Sequence, residues 1–327
     1  MIYRTLGKTN FNISEISLGT WQVGGKWGSP FDPNNAETIL KTAIDNGINF
    51  IDTADVYSDG LSEKAVGKAV KSYQQKIYIA TKCGRKFQPH IDASYTLAAL
   101  RKTVEDSLQN IGVDHIDLIQ LHCPPWETYY RPEVFDLFDK LKAEGKIGAL
   151  GVSVEKVEQA IKAMEYDNVT TIQIIFNMFR QRPAELFFDL AKAKNVGIIV
   201  RVPLASGLLT GTYSANTTFG ADDHRTFNRN GDAFDKGETF SGIDYQKGLE
   251  AVRILKDHFG DTKLAHLAIK WVLMYDAVSC VIPGASSPSQ AGNNLLAADL
   301  PQISADDMLF VKSVYDEYIK GDVHQVW

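Results

Sequence analysis

Short apolar segments alternate with longer amphipathic segments along the whole chain. The apolar segments are rich in β-branched residues and nearly continuous, which is typical of strands buried on both faces of a parallel sheet. Eight such strands, separated by segments with helical periodicity, predict one α/β domain over residues 1–327 with the fold of a (β/α)8 TIM barrel. The predicted strands are residues 16–19, 50–52, 77–81, 116–121, 147–152, 171–175, 197–202 and 279–282.

Two further features modify this barrel. Residues 3–6 and 12–14 flank a turn and predict an N-terminal β-hairpin that caps the bottom of the barrel. Residues 210–241 are rich in Gly, Asn, Asp and Thr and are too long for a plain connection. We expect them to form a long functional loop at the active-site rim, called the excursion below. Extra helices are expected after strand seven and at the C-terminus. The predicted barrel helices are residues 36–46, 61–70, 94–109, 132–144, 155–165, 184–195 and 263–274.

Glycines precede several strands, at the points where helices should end. Gly47, Gly112, Gly145 and Gly197 are each expected to stop a helix before the chain returns to the barrel.

The composition excludes several classes of protein. The chain has 34 Lys and Arg against 40 Asp and Glu, a formal charge of −6, which does not suit a nucleic acid or membrane partner. Its three cysteines are scattered and form no Cys-x-x-Cys pair, so neither a zinc site nor a disulfide framework is expected. No signal peptide or membrane-spanning segment is expected either. These features predict a soluble cytoplasmic protein.

Four residues that can hold or move a proton lie at the same end of successive strands. Asp52 and Tyr57 follow the second strand, Lys82 the third and His122 the fourth. Because side chains alternate along a strand, Lys82 and His122 converge on the barrel mouth if their faces point inward. A carboxylate that holds an ammonium beside a phenol favours the phenolate and would let Tyr57 donate a proton near neutral pH.

Other uses of these residues fit less well. Taken singly, each could be structural: a cap, a snorkelling lysine or a buried histidine. A barrel glycosidase could use Asp52 with Asp55 or Glu63, but the other polar residues would then have no role. A metal hydrolase fails because the candidate ligands His115 and His122 fall on opposite faces of one strand. No metal site is therefore expected, and the absence of Gly-x-Gly-x-x-Gly argues against a Rossmann dehydrogenase.

The segments that carry the four residues resemble signatures of the aldo-keto reductase family. They are GINFIDTADVY at 47–57, ATKC at 80–83 and DLIQLH at 117–122. The resemblance extends over nearly the whole chain, and it implies carbonyl reduction, or oxidation of alcohols or sugars, by hydride transfer from or to a nicotinamide cofactor. In that reaction Asp52, Tyr57, Lys82 and His122 would be catalytic, with Tyr57 as the general acid.

Further segments resemble the cofactor-binding parts of the family, and the resemblance assigns cofactor contacts to them. The implied residues are Gly19, Thr20, Trp21, Asp52, Ser153, Gln173, Arg201, Val202, Pro203, Leu204, Ser206, Gly207, Leu209, Gly284, Ser286, Gln290, Asn293 and Asn294.

Three departures from the family pattern bear on the cofactor. Val154 stands where relatives usually carry an asparagine that contacts the nicotinamide carboxamide. Arg201 replaces an aromatic residue that stacks on the nicotinamide ring, so its guanidinium either stacks there or turns to solvent or an acid. Residues 286–294 contain no cation to grip a 2′-phosphate. NADP(H) is expected on the family pattern, with NAD(H) possible.

Aromatic residues in predicted loops suggest an apolar or sugar-stacking substrate pocket. The candidates are Trp21, Trp27, Phe87, Trp126 and Trp327, and the last either folds back over the barrel mouth or belongs to a disordered tail. The alternative to an enzyme is a regulatory subunit that senses the nicotinamide cofactor with little turnover, like the potassium-channel β subunits that resemble this family. The sequence does not indicate an oligomeric state.

Overall fold

The computed structural model describes residues 1–25 and 29–327. An antiparallel hairpin, β1 (Tyr3–Thr5) and β2 (Asn12–Ser14), precedes eight parallel strands that follow one another in chain order. Parallel bridges Ile16–Val281 and Gly19–Gly284 join the first barrel strand to the last and close the barrel. The predicted barrel and hairpin are thus confirmed. The barrel strands are β3 (Leu18–Gly19), β4 (Phe50–Asp52), β5 (Tyr78–Cys83), β6 (Ile116–His122), β7 (Ile147–Ser153), β8 (Val169–Ile175), β9 (Gly197–Arg201) and β10 (Val278–Val281).

Helices surround the barrel and continue past its last strand, as expected. Within the described residues, no helix has both the length and the apolarity needed to cross a membrane. The helices are α1 (Pro33–Asp45), α2 (Leu61–Val70), α3 (Leu97–Ile111), α4 (Pro132–Ala143), α5 (Val157–Ala163), α6 (Phe187–Ala193), α7 (His224–Phe227), α8 (Tyr245–Phe259), α9 (Leu264–Leu273), α10 (Pro288–Leu295), α11 (Ala305–Val314) and α12 (Lys320–Val323).

Local capping chemistry explains where several helices begin. The Asp32 carboxylate accepts hydrogen bonds from the first N–H groups of α1, and a proline occupies the first helical position. Thr96 caps α3 and Asp244 caps α8 in the same way. Ser287 caps α10, where its hydroxyl accepts the Gln290 N–H at 3.2 Å. These caps satisfy N–H groups that the helix itself leaves unpaired.

The barrel interior is apolar at the bottom and polar at the top. Its lower layers form one buried cluster to which Phe50, Ala80 and Leu118 contribute. Since Ala80 and Leu118 point inward, the strand alternation also turns Lys82 and Gln120 inward, one layer higher. The change from apolar to polar side chains therefore occurs inside the barrel, directly below its mouth.

Gly197 does not stop a helix, which corrects one expectation from the sequence. Gly47, Gly112 and Gly145 all have positive φ angles of 94°, 72° and 76°. Before β9, however, the left-handed residue is Asn195, at φ 50°. Gly197 lies in the strand, where a side chain would meet the hairpin: a Cβ there would sit 2.7 Å from Leu6 Cδ1 and 2.9 Å from the Leu6 carbonyl carbon. This close approach lets the hairpin seal the barrel bottom.

We predict that Gly197→Ala destabilises the protein by about 1–3 kcal/mol, because the added methyl group must push the hairpin away from β9. The free energy of unfolding from denaturant titration measures this. Gly220→Ala is the control, since a Cβ at Gly220 has no neighbour within 4 Å. Equal stability of the two variants would contradict the close approach.

Candidate active site

The buried carboxylate of Asp52 organises the polar layer. It accepts hydrogen bonds from Lys82 Nζ at 2.5 Å, Gln120 Nε2 at 2.9 Å and Gln173 Nε2 at 2.8 Å. Asp52 is 1% exposed and Lys82 is fully buried. Strand register brings the group together, because Asp52 pairs with Ala80 while Lys82 pairs with Gln120 on the next strand. The charge of the carboxylate is therefore fully compensated within the barrel.

Lys82 connects this carboxylate to a phenol. Besides Asp52, its ammonium group donates to the Thr53 carbonyl at 2.9 Å and to Tyr57 Oη at 3.3 Å. Burial alone would lower the pKa of Lys82, but the nearby Asp52 and Tyr57 oxygens outweigh it and raise the pKa above its usual value. Lys82 is thus a permanent cation beside the Tyr57 hydroxyl.

Tyr57 stays protonated at neutral pH. Burial raises its pKa above 10, while the Lys82 charge pulls it down without overcoming that rise. The structure therefore corrects the expectation that the ammonium makes this phenol more acidic than a free tyrosine. The neighbouring cation instead limits the cost of removing the proton. Tyr57 also packs edge-to-face with the His122 ring, at 6.1 Å between centroids.

His122 is a neutral imidazole. Burial, followed by the charges of Lys82, Arg85 and Arg201, holds its pKa well below the usual range. Among the described residues its Nδ1 has no hydrogen-bond partner. A neutral ring beside the Tyr57 hydroxyl can orient and polarise a carbonyl oxygen without competing as an acid.

Three of the four residues, Asp52, Tyr57 and His122, line a cavity of about 400 Å³ at the barrel mouth, and Gln290 of α10 lines it as well. The fourth residue, Lys82, is fully buried and does not line the cavity. Most of the expected cofactor residues also line it, whereas Ser153, Leu209, Ser286, Asn293 and Asn294 do not. The lining set comprises Gly19, Thr20, Trp21, Asp52, Gln173, Arg201, Val202, Pro203, Leu204, Ser206, Gly207, Gly284 and Gln290.

Four of the five expected residues outside the lining have other contacts, and the fifth, Asn293, is half-buried in α10. Ser153 is buried with its Oγ 3.4 Å from Gln173 Oε1, and Leu209 is fully buried. Ser286 donates its N–H to Gln290 Oε1 at 2.9 Å, and Asn294 donates to the Gly284 carbonyl at 3.1 Å. These last two hydrogen bonds hold the segment that follows β10 and leads into α10.

The aromatic candidates for substrate contact separate into two groups. Trp21 lines the cavity, and Trp27 lies outside the described residues. Phe87 packs edge-to-face on Tyr95 instead of facing the cavity, and Trp126 is 41% exposed. Neither these two nor Trp327 line the cavity.

Trp327 folds back, but onto the excursion and not over the barrel mouth. Its Nε1 donates to Asp235 Oδ1 at 2.7 Å, and its ring stacks on the Arg180 guanidinium at 4.4 Å. The ring also fills the space above Gly237 and Gly242, where a Cβ would lie 2.8 Å and 2.4 Å from it. Trp327 therefore packs against the C-terminal end of the excursion and holds it in place.

The excursion forms the outer wall of the cavity, which supports its expected functional placement. It contributes Tyr213, His224, Arg225, Phe234 and Glu238 to the lining. Sequence reasoning assigned a role to none of these residues, because the segment has no periodicity that would show which side chains turn inward.

A cluster of charges at the cavity was also missed. Arg201 pairs with Glu155 at 3.0 Å and approaches Glu238 at 3.6 Å, while Arg85 lies 3.3 Å from Glu155 and 3.6 Å from Glu238. Arg201 thus lines the cavity and is paired with acids at the same time. The ligand atoms of Cys123, Glu155 and Glu238 lie within 4.8 Å of one another, but both carboxylates already face guanidinium groups.

Comparison with known proteins agrees with this geometry. A sequence model of the Aldo/keto reductase family matches residues 15–316. The chain belongs to this family. It is therefore an oxidoreductase of a family that uses a nicotinamide cofactor.

Three relatives illustrate the range of this aldo-keto reductase family. Aldo-keto reductase YhdN of Bacillus subtilis (strain 168) is 32% identical over 302 residues, 89% of this chain and 86% of the relative. A probable voltage-gated potassium channel subunit beta of Arabidopsis thaliana is 28% identical over 315 residues, 92% of each chain. The holo form of aldo-keto reductase AKR11C1 from Bacillus halodurans superposes with a TM-score of 0.78 at 28% identity, over 96% of each chain.

One buried carboxyl group of this aldo-keto reductase takes no part in the hydrogen bonds that connect Asp52, Lys82 and Tyr57. Asp55 is 6% exposed, and neither of its oxygens has a hydrogen-bond partner among the described residues. Burial, and then the charge of Glu63, raise the pKa of Asp55 from 3.8 to about 7. Folding therefore favours the protonated form of this group.

We predict that Asp55 makes the protein less stable as the pH rises. Because the folded-state pKa is raised, its stabilising contribution is complete below pH 3.8, falls by up to about 1.4 kcal/mol per pH unit, and is lost above about pH 7. Denaturant titrations of Asp55→Asn should therefore show a free energy of unfolding without this decrease between pH 4 and 7. Exposed Asp222→Asn is the control and should keep the wild-type profile. A wild-type profile for Asp55→Asn would show that Asp55 ionises normally.

Proposed function

We propose that this protein is an NADP(H)-preferring aldo-keto reductase that reduces aldehydes or ketones, or oxidises the corresponding alcohols or sugars, with Tyr57 as the general acid. The observation that carries the proposal is the hydrogen-bonded chain from Asp52 through Lys82 to Tyr57, which opens on the cavity beside His122. A small-molecule carbonyl or sugar is the expected substrate.

Each residue has a chemical task in this reaction. A bound nicotinamide supplies or accepts the hydride at the carbonyl carbon. Tyr57 donates its proton to the carbonyl oxygen, and the Lys82 ammonium stabilises the phenolate that remains. Neutral His122 donates a hydrogen bond that orients the oxygen. Asp52 fixes the ammonium, so that the cation lies beside the phenol throughout.

The shape and chemistry of the cavity fit a nicotinamide dinucleotide. Its lining includes Tyr57 and His122 and also Gln290 in the first turn of α10. Gln173 lines the cavity too and would serve the nicotinamide carboxamide despite the loss of asparagine at Val154, while Ser153 lies behind it with its Oγ 3.4 Å from Gln173 Oε1. The N-terminus of α10, an eight-residue helix, favours a phosphate group.

The groups available to bind a 2′-phosphate, and so to favour NADP(H) over NAD(H), are uncharged. Residues 286–294 contain no cation, so hydroxyl and amide groups must bind a 2′-phosphate there. Ser287 already caps α10, and Gln290 Oε1 accepts two hydrogen bonds from Ser286. Gln290 is the residue of this segment that lines the cavity, and its Nε2 is left to donate to a phosphate oxygen. We therefore propose only a modest preference for NADPH over NADH.

The first test concerns the general acid. Tyr57→Phe should lower kcat for aldehyde reduction by at least about 100-fold, because only the proton donor is removed. NADPH affinity, measured by quenching of tryptophan fluorescence, should stay close to wild type. Tyr130→Phe, at an exposed rim tyrosine, is the matched control. Retention of more than about a tenth of kcat would exclude Tyr57 as the acid.

The second test concerns the 2′-phosphate. Gln290→Arg should increase the preference for NADPH over NADH by about tenfold or more, since it adds a charge-assisted hydrogen bond. Dissociation constants for both cofactors measure the ratio. Gln302→Arg adds the same charge at an exposed position and should leave the ratio unchanged. An unaltered ratio in Gln290→Arg would place the phosphate elsewhere.

A cofactor-sensing regulatory subunit is the second candidate, favoured by the similarity to the potassium-channel subunit. It predicts tight NADPH binding with little turnover on a broad panel of aldehydes and sugars. The same panel therefore separates the two functions.

A further inference from the structure

Two arginines meet at the cavity wall close to the proposed carbonyl site. Arg85 follows β5, and Arg201 is the last residue of β9. Both line the cavity, with side chains only 20% and 11% exposed. Glu155 lies between them and pairs with both. Since both guanidinium charges lower the pKa of His122, the two cations lie within electrostatic range of the proton-transfer residues.

Most N–H donors of this pair have no hydrogen-bond acceptor in the part of the chain that the structure describes. A guanidinium carries five donors, and within the described chain Arg85 makes one hydrogen bond, from Nη1 to Glu155. Among the described residues, Arg201 bonds only through Nη2, to the Val154 carbonyl, Glu155 and the Cys123 sulfur. Both arginines line the cavity, so their remaining N–H groups are the donors that an oxygen ligand there would meet.

One carboxylate oxygen already lies between these donors, but too far away to bond well. Glu238 Oε1 is 3.6 Å from Arg85 Nη2 and 3.6 Å from Arg201 Nη1. Both distances exceed a normal N–H···O hydrogen bond of 2.7–3.2 Å. The backbone of Glu238 is tethered, because Ser206 Oγ donates to its carbonyl at 3.0 Å. Glu238 thus shows where a carboxylate fits between the two guanidinium groups, although its own oxygen does not reach hydrogen-bonding distance of either.

We propose that Arg85 and Arg201 bind the carboxylate of the carbonyl substrate, in the place that Glu238 occupies loosely. The substrate class is then a small oxo acid, with its carbonyl at Tyr57 and His122 and its carboxylate between the two guanidinium groups. This inference rests on the proposed function and narrows its substrates.

The charges around the two arginines support the replacement of the Glu238 carboxylate by that of a substrate. Two guanidinium groups and Glu155 leave one positive charge for a second carboxylate. Burial opposes ionisation of Glu155, but Arg201 and Arg85 lower its pKa to about 2. Burial and the charge of Glu155 raise the pKa of Glu238 to about 7. Near neutral pH Glu238 is therefore partly protonated and competes weakly for the guanidinium groups, from which its Oε1 lies 3.6 Å away. A free carboxylate can approach both arginines to hydrogen-bonding distance.

The main experiment compares two substrates that differ only in the anionic group. The ratio of kcat/KM for 4-oxobutanoate over butanal, with NADPH, should exceed about 10 in the wild type. Arg85→Gln should reduce this ratio about tenfold or more, Arg85→Lys should restore part of it, and Glu238→Gln should increase it. Using a ratio cancels any general effect of a substitution on the reaction.

A matched control and a second anion sharpen the test. Exposed Asp232→Asn makes the same charge change on the excursion as Glu238→Gln and should leave the ratio at its wild-type value. Glyceraldehyde 3-phosphate against glyceraldehyde tests a phosphate ligand. A higher selectivity for the phosphate pair, lost in Arg85→Gln, would overturn the assignment to a carboxylate. A ratio near 1 in the wild type, or one unchanged in Arg85→Gln, would overturn the arginine site.

Direct binding separates this inference from the proposed function. Calorimetry of the NADPH-loaded protein should show tighter binding of butanoate than of butanamide, and Arg85→Gln should remove the difference. Equal binding overturns the arginine site even if aldehydes are reduced. Arginine-dependent butanoate binding without turnover of any aldehyde would instead overturn the proposed function and leave the carboxylate site standing.

Discussion

The structure of the active site depends on one buried negative charge. Asp52 lies above an apolar barrel interior, where an unpaired carboxylate would cost on the order of several kcal/mol. Lys82, Gln120 and Gln173 reach it from three different strands and compensate it. This compensation fixes the position of the lysine, and the lysine in turn determines the electrostatic surroundings of the phenol. The geometry of the candidate site therefore follows from the need to compensate a buried carboxylate with protein groups.

The cavity above this layer is built from parts of different character. The strand ends form a floor held by backbone hydrogen bonds, and two of them turn sharply: Cys123 and Val202 follow His122 and Arg201 with φ angles of 48° and 54°. Such conformations are costly for residues other than glycine and occur where the surrounding structure imposes them. The outer wall comes from the excursion, which Trp327 and Ser206 hold in place. Substitutions in the excursion can therefore change which ligands fit the cavity without altering the residues at the strand ends.

The sequence predicted the parts of this structure that follow local rules. Strand periodicity predicted the barrel and the convergence of Lys82 and His122 on its mouth if their faces point inward, and the family signatures indicated the candidate catalytic residues. Gln120 has the same parity as Lys82 and His122 and could have been found by the same rule, but an amide alone suggests no chemistry. Glu238 could not be found, since an aperiodic excursion does not reveal which residues turn inward. The protonation of Tyr57 likewise required the structure, because it depends on the balance between burial and the Lys82 charge.

Closure of the barrel places a constraint on how the chain folds during synthesis. The first barrel strand contacts the last one through Ile16–Val281 and Gly19–Gly284, so it has no partner on one side until more than 260 residues have followed it. A growing chain therefore carries two open sheet edges, which are prone to pair with other chains. The N-terminal hairpin packs against β9, which is also made late. The arrival of β10 removes both edges, so a nascent chain whose synthesis pauses before this strand keeps both edges open to pairing with other chains.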